Sequence, residues 1–145
     1  MKLTSRSPEE TEGIGLKLGK ILKKGDVVAL YGDLGAGKTT MVKGIASAFG
    51  IDRRDVTSAS FTIIAAYQST PPFFHIDLYR VEKGEDVDNT GVWDCIGRDS
   101  VAVIEWAGKL GPMQSDFIRV TIEDKGDDMR EITIEGTDEK DRHNL

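Results

Sequence analysis

Near the start of the chain, Ile14, Leu18, Ile21 and Leu22 recur at helical spacing and form one apolar stripe. Ahead of them, Ser7-Pro8-Glu9-Glu10 predicts a helix start, with serine as N-cap, proline at the first helical position and glutamate closing a capping box. Lys23-Lys24-Gly25 predicts the stop. The run 27–31 is short and apolar, fit for a buried strand, and is bounded by Gly25-Asp26 and Gly32. From Lys38 the period is helical again, with Met41, Val42, Ile45, Ala48 and Phe49 on one face and Gly50 placed to end it.

Residues 60–67 predict a strand that Thr70-Pro71-Pro72 breaks, and 73–80 predict the next. In that second run Phe74, Ile76 and Leu78 share one face, while His75, Asp77 and Tyr79 share the other. Segment 86–96 carries a helical hint in Val87, Val92, Cys95 and Ile96, weakened by Asn89-Thr90-Gly91. Val101-Ala102-Val103-Ile104 is apolar throughout, as a strand buried on both faces requires, and runs into Glu105-Trp106. Residues 117–123 and 130–135 alternate apolar and polar around a polar turn, predicting an antiparallel hairpin at the sheet edge. The polar tail over 137–145 is expected to fray.

Between the first strand and the second helix lies Gly32-Asp33-Leu34-Gly35-Ala36-Gly37-Lys38-Thr39, a complete G-x-x-x-x-G-K-[ST] phosphate loop. Its glycines let backbone N–H groups wrap a phosphate, and the helix N-terminus adds positive potential. Lys38 is expected to reach the β- and γ-phosphates of ATP, and the Thr39 hydroxyl to ligate Mg²⁺. The pattern therefore predicts an α/β fold, a P-loop NTPase-like mixed sheet with flanking helices and a C-terminal antiparallel hairpin.

A chain of 145 residues fits a single domain, 1–145, with one core and no separate substrate domain. Its start is polar, without the apolar run of a secretory signal, and no stretch approaches the roughly 20 apolar residues of a membrane span. The lone Cys95 cannot form an internal disulfide, so the cytoplasm is the expected location. The net charge of -6 repels phosphate backbones, and any RNA is expected to reach the protein through a partner.

Hydrolysis needs a carboxylate to organise metal and water, and Glu105, at the end of an apolar strand, stands where one is wanted. A solvated glutamate at a strand end is the plain alternative. Asp77 and His75 read either as a metal-linked pair, with Asp77 holding Mg²⁺ through water, or as the polar face of an edge strand. Ser58, Ser60 and Thr62 read either as a plain hydroxyl-rich turn or as the place where nucleotide switches sense the γ-phosphate, and Trp106 is placed either to cover the site or to pack in the core.

The loop with Thr40 after it, Ser58-Ala59-Ser60-Phe61-Thr62, His75-Ile76-Asp77-Leu78-Tyr79-Arg80 and Ile104-Glu105-Trp106 together resemble the bacterial TsaE (YjeE) ATPases. The resemblance runs from about Ser7 to Gly136. It implies a domain that supports the TsaB-TsaD heterodimer in making N6-threonylcarbamoyladenosine at position 37 of tRNA, hydrolysing ATP to reset that complex while TsaD transfers the carbamoyl group. It implies that Lys38 and Thr39 hold phosphates and Mg²⁺, that Asp77 and Glu105 organise metal and attacking water, and that Ser60 takes the place of the switch threonine. Arg130 matches a hairpin arginine that contacts nucleotide. Two departures stand out: the family's Ser-Pro-Thr-Phe is Ser58-Ala59-Ser60-Phe61 here, and Asp94 and Thr90 replace a glutamate and a leucine.

Other readings compete with an ATPase. A small-molecule kinase would need a lid, usually with arginines, and no arginine-rich segment is available to build one. A GTPase would need a guanine-reading Asn-Lys-x-Asp segment, which is missing. A nucleotide-gated binding module without productive turnover satisfies the same motifs.

Overall fold

The computed structural model describes the chain apart from Leu34, residues 57–62, 83–84, Arg98 and 112–115, and the side chains of Glu85 and Glu139. Seven strands form one sheet: β1 (Lys2–Ser5), β2 (Val27–Tyr31), β3 (Ile64–Tyr67), β4 (Phe73–Asp77), β5 (Val101–Glu105), β6 (Ile118–Gly126) and β7 (Met129–Glu135). Their order is β1-β7-β6-β2-β5-β4-β3. β2 runs parallel to both β5 and β6, and β5 parallel to β4, while β1, β7 and β3 add antiparallel pairs at the two edges. The expected mixed sheet with flanking helices and a C-terminal antiparallel hairpin is present.

Helices α1 (Pro8–Ile21) and α2 (Lys38–Ser47) cover one face. Ser7 caps α1 as expected, its hydroxyl accepting from the Glu10 N–H at 3.1 Å, while the Glu10 carboxylate reaches back to the N–H of Arg6, one residue beyond the usual capping-box donor. Met41, Val42 and Ile45 of α2 are fully buried with Val28, Leu30, Val103 and Val120 of the sheet. The two helices approach closely through glycines. A Cβ on Gly44 would stand 2.0 Å from the Glu12 carbonyl oxygen, and one on Gly15 would stand 2.5 Å from that of Met41. The other sheet face, including Ala29, Ile76, Ala102 and Ile104, packs under Val87 of the short helix α3 (Glu85–Asp88) and under Val92 and Ala107 of two 3-10 turns, Val92–Cys95 and Ala107–Leu110.

Four expectations change. The polar start of the chain forms β1, an edge strand against β7, so the hairpin lies one strand in from the edge. The strand expected over 73–80 ends at Asp77, where the Asp77 side chain accepts from the Tyr79 N–H at 2.9 Å and turns the chain. β4 is an interior strand, flanked by β5 and β3, so His75 and Asp77 are not the polar face of an edge. The tail carries a helical turn, α4 (Glu139–Arg142), and Leu145 packs against the core. Part of the strand expected over 60–67 lies outside the described residues. Among the described residues no helix is long and apolar enough to cross a membrane.

Candidate active site

β2 delivers the chain into the glycine loop and α2 carries it away. Gly37 adopts φ 108° as the residue before α2, a left-handed conformation that suits glycine, and a Cβ on Gly32 would meet the Ile122 carbonyl oxygen at 2.7 Å. Gly35 is exposed with φ 81°, Asp33 is exposed, Ala36 is buried, and Thr40 is half-buried in the first turn of α2. Leu34 lies outside the described residues. Lys38 is only 5 % exposed, and its ammonium donates to the carbonyls of Gly32 and of Asp33, the latter at 2.8 Å.

The acidic residues arrive from the sheet. In the parallel register His75 pairs with Val103 and Asp77 with Glu105, so Phe73, His75 and Asp77 project on the same side as Val101, Val103 and Glu105. That side faces α2, and along both strands it turns from apolar to polar at the C-terminal ends, where the helix begins. Thr39 Oγ1 donates to Glu105 Oε1 at 3.3 Å, and Glu105 Oε2 lies 2.6 Å from His75 Nε2. His75, Asp77 and Glu105 are all buried. His75 Nδ1 has no hydrogen-bond partner among the described residues. His75 is thus bonded to Glu105, while Asp77 accepts from the Tyr79 N–H.

Burial pushes the Asp77 carboxyl above the usual carboxylate range, against the bond from the Tyr79 N–H, and the Glu105 charge adds to the rise. Burial also lowers the Lys38 ammonium, offset in part by Glu105, Asp33 and Asp77. Both shifts have the same origin: charges gathered in a partly dry crevice, which a charged ligand would rebalance. Among the described residues no three His, Cys, Asp or Glu side chains cluster as a closed metal cage. Mg²⁺ does not need one, since it is typically held by one or two carboxylates together with substrate phosphates and waters. The hard oxygen donors of Thr39, Glu105 and Asp77 fit that ion.

Two further side chains frame the loop. Arg130 of β7 donates from Nε to the Ala36 carbonyl at 2.9 Å and from Nη1 to Asp124 Oδ1 at 2.9 Å, which ties the hairpin to the phosphate loop. Trp106, with φ 60°, sets its ring 4.0 Å from Lys38 Nζ and 5.1 Å from the Tyr79 ring, so it neighbours the loop while also packing against the apolar cluster on the other sheet face. Lys109 donates to the Tyr79 carbonyl on the same side. The proposed switch residues Ser58 and Ser60, with Thr62, lie outside the described residues. Sequence reasoning missed the His75–Glu105 bond and the Arg130–Ala36 bond. The first was latent in the alternation of 73–77 and 101–105 once those runs are taken as parallel neighbours, whereas no local signal points from Arg130 to a loop 94 residues away.

A glycine loop leading from a central parallel strand into a helix N-terminus, faced by carboxylates at the ends of the next two strands, places the chain among P-loop NTPase-like α/β folds. The sequence model of the family described as "Threonylcarbamoyl adenosine biosynthesis protein TsaE" matches residues 5–132. The tRNA threonylcarbamoyladenosine biosynthesis protein TsaE of Treponema pallidum is 36 % identical over 135 residues, covering 92 % of this chain and 99 % of that one. The protein of the same name from Bacillus subtilis is 38 % identical over 136 residues, covering 92 % and 84 %. The crystal structure of Bacillus subtilis YdiB superposes with a TM-score of 0.73 at 34 % identity, covering 99 % of this chain and 90 % of that one. The chain belongs to the TsaE family.

Proposed function

We propose that this chain is a Mg²⁺-dependent ATPase of tRNA threonylcarbamoyladenosine biosynthesis that acts on the TsaB-TsaD complex. The observation that carries the reading is the contact of the Thr39 hydroxyl with the Glu105 carboxylate beside the Lys38 ammonium, which joins the phosphate loop to a strand-end acid. Lys38 supplies positive charge for the β- and γ-phosphates, and Arg130 steadies the loop from behind through Ala36. Thr39, Glu105 and Asp77 are the residues that would hold Mg²⁺. The bound ion supplies charge neutralisation at the β- and γ-phosphate oxygens. Glu105 and Asp77 order the attacking water from one side of the crevice, and Trp106 covers it from another. The role in tRNA threonylcarbamoyladenosine biosynthesis follows from the family; the TsaB-TsaD partner is what the motif resemblance implies, and the net charge of -6 supports contact with tRNA through that complex rather than directly. No membrane is involved, and the reaction belongs in the cytoplasm with its tRNA substrate.

Phosphate release measured with and without TsaB-TsaD, at matched ATP and Mg²⁺, tests this reading. The expected result is slow release alone, stimulation by the complex, and loss of both in Glu105→Gln. ATP binding and nucleotide-dependent docking with no release under either condition would replace the ATPase with a gated binding module. Phosphorylation of a small-molecule acceptor would replace it with a kinase.

A further inference from the structure

We propose that His75 is a positioning residue for Glu105: its Nε2–H holds one carboxylate oxygen so that the other is presented to Thr39. The inference deepens the proposed function and rests on its assignment of Glu105 to the metal and water. A carboxylate only accepts, so at 2.6 Å the imidazole Nε2 is the donor. The register explains why this histidine and no other group performs the task. His75 lies one pleat back from Asp77 on β4, diagonal to Glu105 on β5, and close enough to reach behind the carboxylate while Asp77 stays level with it.

The terminal torsion of a glutamate is broad, so an unanchored carboxylate samples many orientations even when its backbone is fixed. Here the two oxygens are divided between two partners, Oε2 to His75 and Oε1 to Thr39 at 3.3 Å. Both side chains of the pair are almost wholly buried, at 1 % and 4 % exposed, so water does not compete for the histidine's oxygen. A pair kept only to hold the sheet together would do so poorly, because taking a carboxylate out of water is costly and such buried polar pairs are often no more stabilising than apolar residues of similar size. Orienting the partner is the better use of such a bond, and partners in this outer position affect metal affinity or activity by about 10–100-fold.

The test compares His75→Gln with His75→Asn, both polar and both smaller than imidazole. Glutamine places its amide nitrogen near the position of Nε2, whereas asparagine places it near Nδ1, short of Glu105. Calorimetry of a non-hydrolysable ATP analogue, with Mg²⁺ and with EDTA, gives the Mg²⁺-dependent gain in affinity for each protein. In His75→Asn that gain is expected to fall about 10–100-fold with the EDTA affinity unchanged, and His75→Gln is expected to restore most of it. In a Glu105→Ala background, His75→Asn should cause no further loss. Equal behaviour of the two variants, an equal loss with and without Mg²⁺, or additive losses in the Glu105→Ala background would overturn the inference. If the wild type shows the Mg²⁺-dependent gain but releases no phosphate, the ATPase reading fails while the contrast between Gln and Asn still decides the role of His75. If the wild type shows no such gain, the metal assignment of Glu105 falls and this inference falls with it.

Discussion

The Lys38 ammonium rests 4.0 Å from the centre of the Trp106 ring while donating to the carbonyls of Gly32 and Asp33. The lysine thus spends its charge on its own loop and on an aromatic face, a contact worth about 0.5–2 kcal/mol. A triphosphate offers it much stronger partners. Lys38 should therefore leave the ring when ATP binds, changing the surroundings of Trp106. In a Trp93→Phe protein, which removes the other tryptophan, saturating ATP should change the emission, and Lys38→Met should abolish that response. Lys38→Ala should weaken ATP binding about 10–100-fold by calorimetry, the equivalent of roughly 1.5–3 kcal/mol for a hydrogen bond to a charged group. Unchanged affinity in a folded variant would remove Lys38 from the phosphate site.

Arg130 makes a different kind of prediction, because it stands outside the loop motif. Its Nε serves Ala36 and its Nη1 serves Asp124, the residue opposite it in the hairpin register. That fork has fixed geometry, and a lysine cannot copy it. Arg130→Ala and Arg130→Lys should both weaken ATP binding, by about 3–10-fold for the loss of one hydrogen bond of roughly 1 kcal/mol. The thermal midpoint should barely move, since the partner Asp124 is 54 % exposed and such pairs contribute little. Wild-type affinity in both variants would leave the arginine as a hairpin contact only.

The glycine loop, the buried strand ending in Glu105 and the two hairpin strands were legible because each is specified locally, by a motif, by an apolar run or by alternation. β1 was not, because Lys2–Ser5 is an edge strand of four residues with only Leu3 and Ser5 turned toward the protein. Its partner is β7, at the other end of the chain, and no local pattern records that pairing. The site followed the same rule. Lys38, Thr39, Glu105 and Asp77 could be named one by one, but the bond from His75 to Glu105 needed the register of β4 against β5.

The glycines of α1 and α2 show how packing overrides local preference. Gly44→Ala would improve intrinsic helix propensity by about 1 kcal/mol. The new methyl would nevertheless stand 2.0 Å from the Glu12 carbonyl oxygen and 2.9 Å from the Leu16 nitrogen, and both belong to the backbone of α1. Forcing the helices apart costs at least the roughly 1–3 kcal/mol of ordinary overpacking, and relaxation is limited because the obstacle is main chain. Gly44→Ala should lower the thermal midpoint by several degrees, whereas Gly13→Ala, with nothing within 4 Å of the new Cβ, should raise it or leave it unchanged. A stabilised Gly44→Ala protein would refute the close helix contact, and with it the placement of the first turn of α2 over Glu105.

The Asp77 carboxylate supplies a prediction about pH. Its pKa is raised above the ordinary carboxylate range, chiefly by burial and further by the Glu105 charge, while the Tyr79 N–H, His75 and Lys38 oppose the rise. In the interval between the unfolded and folded pKa values the native state holds a proton that the unfolded chain has released. Stability from this group is therefore fully present below about the ordinary carboxylate pKa of 3.9 and is lost as pH rises through the folded value. At neutral pH the ionised Asp77 is a burden on the nucleotide-free protein. Asp77→Asn keeps an oxygen to accept from the Tyr79 N–H without carrying the charge. In EDTA and without nucleotide, the variant should melt above the wild type at pH 7 to 8, and the difference should shrink as the pH is lowered toward the ordinary carboxylate pKa. At neutral pH the same change should abolish phosphate release with TsaB-TsaD, setting stability against activity at one residue. A constant difference in melting temperature at every pH would mean that the buried charge is not its source.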